Sequence, residues 1–299
     1  MANTTALKRR IGSVKNTRQI TKAMELVAAS KMKKAQGQAL ATREYRESAK
    51  GILGRLSTVS DVSLNRMFLT RPIKEQLLII ITSDLGLAGG YDGNVIKEVI
   101  KRIEENDKKK IKTNLVAIGR KGGQFFSRVK GLNIASAYSM FSQDPSPADI
   151  RPIILGAIKQ YEDKEIDQAS IIYTKFISNI KQEVKSIDVL PAKLDAISSE
   201  ENDHDKKTVS ELEVAIFEPN IDEIVEDAVL RLIEVQLWQA VLEALASEYS
   251  MRMVAMKNAS DNANDIIDDL TLEYNTARQA SITQEIAEIV GGAEAVKQT

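Results

Sequence analysis

From Ile221 to about Val290 some seventy residues pass without a glycine or a proline, in a chain of 299 residues that holds 15 Gly and 6 Pro. Apolar residues recur along this stretch in steps of three and four: Ile221, Ile224, Ala228, Val235, Trp238, Leu242, Leu245, Tyr249, Met256, Ala259, Ala263, Ile266, Leu270 and Ala277. Leu232 and Met253 fill two gaps, one residue off strict register. A mean step near 3.5 over that distance is the seam of a coiled coil. Pro219 precedes the stretch, and Asp222, Glu223, Glu226 and Asp227 complement the positive end of a helix dipole. At 1.5 Å per residue the helix is roughly 100 Å long. It exceeds what a compact domain accommodates, so it needs a partner along its length.

Residues 3–57 supply that partner. Leu7, Ile11, Val14, Thr21, Ala28, Met32, Ala35, Ala39, Ala49, Leu53 and Leu56 form the matching stripe. Gly12, Gly37, Gly51 and Gly54 weaken the helix, each by ~1 kcal/mol relative to alanine. The stripe is thin, because Arg18, Glu25 and Arg46 fall on it and alanines make up much of the rest. Small residues let two helices approach closely, and Met24 and Met32 fill irregular gaps. Charge points the same way. Residues 1–60 carry 13 Lys and Arg against 3 Asp and Glu, and residues 201–299 carry 7 against 21. Opposite ends of the chain therefore attract each other, although two independently solvated faces would show the same bias.

The middle of the chain has another texture. After a linker at 58–73, Leu77–Thr82 is a continuous apolar and β-branched run, as in a strand buried on both faces. A glycine-rich loop, Ser83–Asn94, leads into a helix to about Glu105. Further strands are predicted at Leu115–Ile118, Ala169–Phe176 and Glu183–Val189, with helices near Gly122–Val129 and from Pro147 or Pro152 to Tyr161. Such alternation predicts a layered α/β domain. The domain plan is thus an N-terminal coiled-coil helix (1–57), a central α/β domain (74–190), a flexible acidic loop (191–211) and a C-terminal coiled-coil helix (212–299), with Glu213–Phe217 as a last strand feeding it.

Several chemistries find no footing. The chain has no cysteine, hence no disulfide, thiolate site or thiol switch. No apolar run nears the ~20 residues a membrane span requires. A basic N-terminus without an apolar core is not a secretory signal. Gly86-Leu87-Ala88-Gly89-Gly90 fits neither the dinucleotide fingerprint nor the P-loop, and Gly119-Arg120-Lys121-Gly122-Gly123 lacks the Lys-Ser/Thr ending. The one histidine, His204, stands between Asp203 and Asp205 in the acidic loop, a solvated surface rather than a metal site of fixed geometry. The basic face Lys8, Arg9, Arg10, Lys15, Arg18, Lys22, Lys31, Lys33 and Lys34 lacks the interleaved aromatics of a nucleic-acid surface. Acidic protein partners are the economical match. The C-terminal end is the oddity. Ile282, Ile286, Ile289 and Val290 share one face, and the first helix is shorter by about fifteen residues. An apolar end that projects past its partner is expected to be buried by another protein, unless it folds back on its own stalk.

Four segments carry a resemblance. ITKAMELVAASK (20–31), RMVAMKNASDNA (252–263) and YNTARQASITQE (274–285) followed by IVGGA (289–293) are similar to the gamma subunits of F-type ATP synthases, and SDLGLAGG (83–90) resembles that family's strand-end loop. The likeness covers essentially the whole chain. It implies an antiparallel two-helix coiled coil of the chain ends plus a central α/β layered, Rossmann-like domain. The implied function is a central rotor: proton flow turns a membrane ring, and the shaft carries that rotation into a ring of alpha and beta subunits that makes ATP. Lys22, Met24, Glu25 and Lys31 would meet the beta-subunit levers. Arg252, Lys257, Arg278 and Gln279 would meet the catalytic ring, and Ile282, Ile286, Ile289 and Val290 would turn in its apolar sleeve. Asp84, Gly86, Gly89 and Gly90 would belong to the foot, beside the epsilon subunit and the membrane rotor (c) ring. Leu85 stands where the family usually has arginine. The resemblance implies no cofactor, metal or small-molecule substrate for this chain, since ATP and Mg²⁺ would be held by partner chains. It also implies a peripheral membrane location, on the cytoplasmic face of a bacterial plasma membrane because no transit peptide is evident. A static coiled-coil adaptor with an α/β head is the alternative that fold reasoning leaves open.

Overall fold

The apolar run that follows Arg71-Pro72 becomes the centre of a five-stranded sheet. The chain, a computed structural model that describes residues 2–59, 65–139, 145–179, 181–192 and 221–297, divides into two units. One comprises residues 1–29 and 252–299, the other residues 30–251. Helices α1 (Ala2–Val59) and α5 (Ile221–Lys297) contribute to both. They run antiparallel, with Arg18 bonded to Asn264 in the first unit and the Lys31 ammonium over the Tyr249 ring in the second.

In the second unit the order is β1 (Glu75–Ile81), α2 (Tyr91–Lys108), β2 (Lys112–Ile118), α3 (Arg120–Phe126), β3 (Asn133–Tyr138), α4 (Pro147–Glu162), β4 (Gln168–Phe176) and β5 (Gln182–Leu190). The sheet order is β3-β2-β1-β4-β5; β1 to β4 are parallel and β5 returns antiparallel to β4. β1 is central and buried from Gln76 to Ile81, the burial its unbroken apolar run predicts. Leu77, Ile79 and Ile81 face α4 and the Val229–Ala246 part of α5. Leu78 and Ile80 face Val95 and Val99 of α2 and Phe126 of α3. Two helical layers therefore enclose one sheet.

The four strands predicted between Leu77 and Val189 are all present, but β3 was not anticipated. It is an edge strand that pairs with β2 alone, and its sequence, NIASAY, alternates exposed with half-buried positions. Small and polar residues suffice there because one side of the strand carries no neighbour. The expected loop to Asn94 is also shorter, since α2 begins at Tyr91 and takes Gly93 into its first turn. The linker holds a packed turn at Arg66–Phe68, whose Met67 and Phe68 are buried in the core.

The long helix exceeds a compact domain as expected, but one part of it lies inside the α/β unit. Between Val229 and Ser250 it is buried on nearly every side, Leu237, Ala240, Val241, Leu242 and Ala244 included. A helix apolar all round belongs inside a core, and VLRLIEVQLWQAVLEALA has that composition.

One polar knot closes the sheet at the start of β1. Arg71 donates from Nε to Asp167 (2.6 Å) and from Nη2 to the Tyr161 carbonyl (2.7 Å) and to the carbonyl of Ile166, and it lies over the Tyr161 ring. Asp167 accepts the backbone N–H groups of Lys74 and Glu75 at 2.8 and 3.0 Å. Burial alone would raise the Asp167 pKa, but those two amides and Arg71 together hold it below the ordinary carboxylate value of 3.8. Burial raises the Tyr161 phenol, against the pull of Arg71.

The acidic loop from residue 193 onward with His204, the expected strand Glu213–Phe217, Pro219 and residues 60–64 of the linker lie outside the described residues.

Candidate functional site

Among the described residues the first unit consists of two helical segments, which bury each other's stripes. On α1 the covered positions Leu7, Ile11, Val14, Thr21, Glu25 and Ala28 repeat in steps of three and four, with exposed Arg18 in the same series. On α5 the covered series is Met253, Met256, Ser260, Ala263, Ile267, Leu270, Tyr274, Ala277 and Ser281. This corrects the predicted seam by one residue at two steps. Ala259 is half-buried but its neighbour Ser260 is the buried one, and Ile266 is exposed while Ile267 is half-buried. A straight apolar count selects the alanine and the first of two isoleucines. The helix instead keeps the phase set by Met253 and Met256, which puts Ser260 on the covered face.

Arg18 Nη1 donates to Asn264 Oδ1 at 2.8 Å, so a basic position on the α1 seam meets an amide. Away from the seam the helices differ in sign. Residues 2–29 carry six Lys and Arg against Glu25, and residues 252–290 carry three against seven Asp and Glu. Asp261, Asp265, Asp268, Asp269 and Glu273 are all exposed on α5, and Lys8, Arg9, Arg10, Lys15 and Lys22 on α1. The surface of this unit is electrically one-sided.

The sequence-selected residues distribute unevenly. Lys22 is exposed and bonded to Glu25 at 2.9 Å, and Met24 is half-buried. Lys257, Arg278 and Gln279 are exposed and free to meet another molecule. Arg252 is only 7% exposed, so its side chain is taken up within the chain. Lys31, in the other unit, is engaged by Tyr249 at 5.6 Å. Beyond Ser281 the burial stripe stops: every residue from Ile282 to Val290 is exposed, Ile289 to 72%. This end of α5 is not folded back onto the chain. The sequence reading missed Ile20, Leu26 and Val27, large apolar residues exposed on the outside of α1 on either side of Met24. Their signal was available, because they fall off the three-four stripe and have no partner helix to cover them.

The glycine-rich loop is tied down internally. Asp84 accepts the Arg120 N–H at 2.8 Å and so caps α3 from another segment. Asp92 accepts the Ser83 N–H at 2.8 Å and its hydroxyl at 2.7 Å. Thr82 Oγ1 accepts the Gly122 N–H at 3.0 Å. A Cβ on Gly119, at φ 102°, would lie 2.0 Å from the Thr82 carbonyl oxygen, so only glycine fits. A carboxylate thus occupies the N-terminus of α3, at the strand end where sheets of this kind commonly receive a phosphate. Gly86, Gly89 and Gly90 shape the turn, with Gly89 at φ 57°, and it presents Leu85 and Leu87 to solvent.

Among the described residues no group of three or more acidic or histidine side chains is placed to hold a metal, and no helix is long and apolar enough to cross a membrane.

Comparison with known proteins agrees with this arrangement. The family model described as ATP synthase matches residues 3–296. The ATP synthase gamma chain of Cupriavidus metallidurans is 39% identical over 296 residues, covering 99% of this chain and 100% of that protein. That of Heliobacterium modesticaldum is 38% identical over 291 residues, covering 97% and 98%. Among solved structures, a chain from the central stalk and c-ring of the Tetrahymena thermophila mitochondrial ATP synthase matches at TM-score 0.62 and 27% identity, covering 81% of this chain and 99% of that one. A chain from the Euglena gracilis mitochondrial enzyme matches at TM-score 0.64 and 17% identity, covering 99% and 95%, a likeness of fold alone. The family model spans nearly the whole chain and the curated gamma chains match it over almost their full length, so the chain belongs to the family of ATP synthase gamma chains.

Proposed function

We infer that this chain is the central rotor shaft of an ATP synthase and that it performs no catalysis itself. The observation that carries the reading is the α5 end from Ile282 to Val290, which holds four large apolar residues and is exposed throughout. Apolar surface of this kind is stabilised by burial at ~25 cal/mol per Å², and its natural receiver is an apolar sleeve in a surrounding ring. A smooth apolar bearing resists rotation less than a set of directional hydrogen bonds would.

A shaft transmits torque only if its contact free energy with the ring depends on angle. The first unit supplies that dependence. Its α1 side is basic and its α5 side acidic, so an acidic lever on a surrounding subunit is attracted at one angle and repelled half a turn later. Lys22 with Ile20, Met24 and Val27 forms the α1 face offered to such levers, and Lys257, Arg278 and Gln279 are the contacts offered from α5. Glu25 restrains Lys22, while Arg252 and Lys31 act through contacts inside the chain. The partners are alpha and beta subunits at the stalk, with an epsilon subunit and the membrane c ring at the foot, where Leu85 and Leu87 are offered in place of a charged side chain. The chain would then be peripheral to the membrane, on its cytoplasmic face in a bacterium, and proton flow would be the drive.

The test is reconstitution. Mixed with alpha and beta subunits of a bacterial ATP synthase, the chain is expected to co-migrate with them and to raise their ATP hydrolysis. A static adaptor would co-migrate without changing turnover, and an unrelated protein would do neither.

A further inference from the structure

A second feature of the α/β unit lies away from every contact assigned above. The end of β4, the 36–43 part of α1 and the 239–246 part of α5 enclose a pocket of about 380 Å³. That is within the ~300–1,000 Å³ of ordinary small-molecule sites. Its floor is polar and incompletely bonded. Gln239 is only 6% exposed; its Nε2 donates to Glu243 Oε1 at 2.9 Å. Gln239 Oε1 and Glu243 Oε2 are both buried and accept nothing. Two covered acceptors one helical turn apart, one of them a carboxylate oxygen, are costly to leave unbonded and call for a group bearing several N–H donors. The walls are apolar, with Tyr173 and Phe176 on the strand side and Leu40, 65% exposed, at the opening. Arg43 is exposed and Lys175 half-buried, which places two cations toward the mouth.

We propose that this pocket binds a small amphipathic zwitterion, with a primary ammonium against Gln239 Oε1 and Glu243 Oε2, an aromatic or aliphatic body along Tyr173 and Leu40, and an anionic group toward Arg43 and Lys175. Each part of the ligand answers one part of the lining. The buried acceptors select the donor-rich head, the apolar walls select the body, and the rim cations distinguish a zwitterion from a simple amine. The occupied pocket would join α1, β4 and α5 through one molecule and raise the melting temperature of the chain, as ligands of the native state do.

Three probes separate these contributions: 4-(aminomethyl)benzoate, which has both charges, benzylamine, which lacks the carboxylate, and 4-methylbenzoate, which lacks the amine. Titrated calorimetrically into the full chain, the zwitterion is expected to bind with Kd below about 1 mM, benzylamine roughly threefold more weakly and 4-methylbenzoate at least about tenfold more weakly. Glu243→Gln, near-isosteric, is expected to weaken the zwitterion about tenfold. Lys175→Ala should remove its advantage over benzylamine while leaving benzylamine unchanged. Circular-dichroism melts of both variants would establish that they remain folded. The proposal is overturned if 4-methylbenzoate binds as tightly as the zwitterion, if Glu243→Gln binds it unchanged, or if none of the probes binds at about 10 mM, the last meaning that Lys175 or Arg43 satisfies the acceptors in solution.

Discussion

One helix serves two opposite purposes in this chain. Between Val229 and Ser250, α5 is buried nearly all round against the sheet, and Leu237 and Val241 are inaccessible to solvent. Between Met253 and Ser281 the same helix buries one narrow stripe, and from Ile282 to Val290 every residue is exposed. The first context holds the fold together. The second leaves apolar surface exposed at its end. Substitutions should therefore act on stability in one unit and on coupling in the other, and the two effects should dissociate.

The largest effect on stability belongs to the buried context. Leu237→Ala is expected to cost about 3–4 kcal/mol in urea denaturation of the isolated chain, through lost burial and the cavity left behind. Leu272→Ala, at a position 71% exposed on the same helix, should change stability by less than ~0.5 kcal/mol. Similar costs at the two positions would erase the distinction between the contexts.

Next comes the knot beneath β1. Arg71→Ala removes the partner of Asp167 and two carbonyl bonds and is expected to cost about 2–3 kcal/mol. Because the folded pKa of Asp167 lies below 3.8, its ionised form contributes stability that is fully present above that value. That contribution is lost as pH falls through the lower folded value. Asp167→Asn should therefore be less stable than the parent at neutral pH and converge toward it in strong acid. A gap of constant size from pH 7 to pH 2 would contradict this.

Smaller again is the thin seam. Leu7→Ala removes one of the few large residues on the α1 stripe of the first unit and should cost about 1–2 kcal/mol, less than the equivalent change at Leu237. The smallest stability effect is expected from truncation after Ala280. It removes the exposed stretch Ile282–Val290 and should leave urea stability within about 0.5 kcal/mol, yet it should weaken assembly or torque with alpha and beta subunits. A proportionate loss of helicity and stability would show that the end is packed after all. Reversal of Lys257 and Arg278 to Glu should likewise slow ATP turnover without preventing assembly.

What was legible in the sequence, and what was not, follows the same division. The helices, the buried strand β1 and the exposed apolar end rest on long periodic or unbroken patterns, which survive any tertiary context. β3 was hidden because an edge strand needs no apolar run, and NIASAY has none. The phase of the seam slipped at Ser260 and Ile267 because counting apolar residues favours Ala259 and Ile266, whereas helical phase is inherited from the preceding turns. The embedding of Val229–Ser250 was readable in principle from apolar residues on every face, but a search for one stripe passes over it. The capping of α3 by Asp84 joins residues 36 apart and has no local signature, and the unbonded acceptors of Gln239 and Glu243 depend on neighbours from three separate segments.

The central claim is that the two-helix unit turns inside a ring of other subunits. With alpha and beta subunits fixed to a surface and a gold particle attached to the α/β unit of this chain, rotation in one direction should be seen on adding ATP, and it should weaken or stall on truncation after Ala280. Hydrolysis stimulated by a chain that stays still would contradict the account.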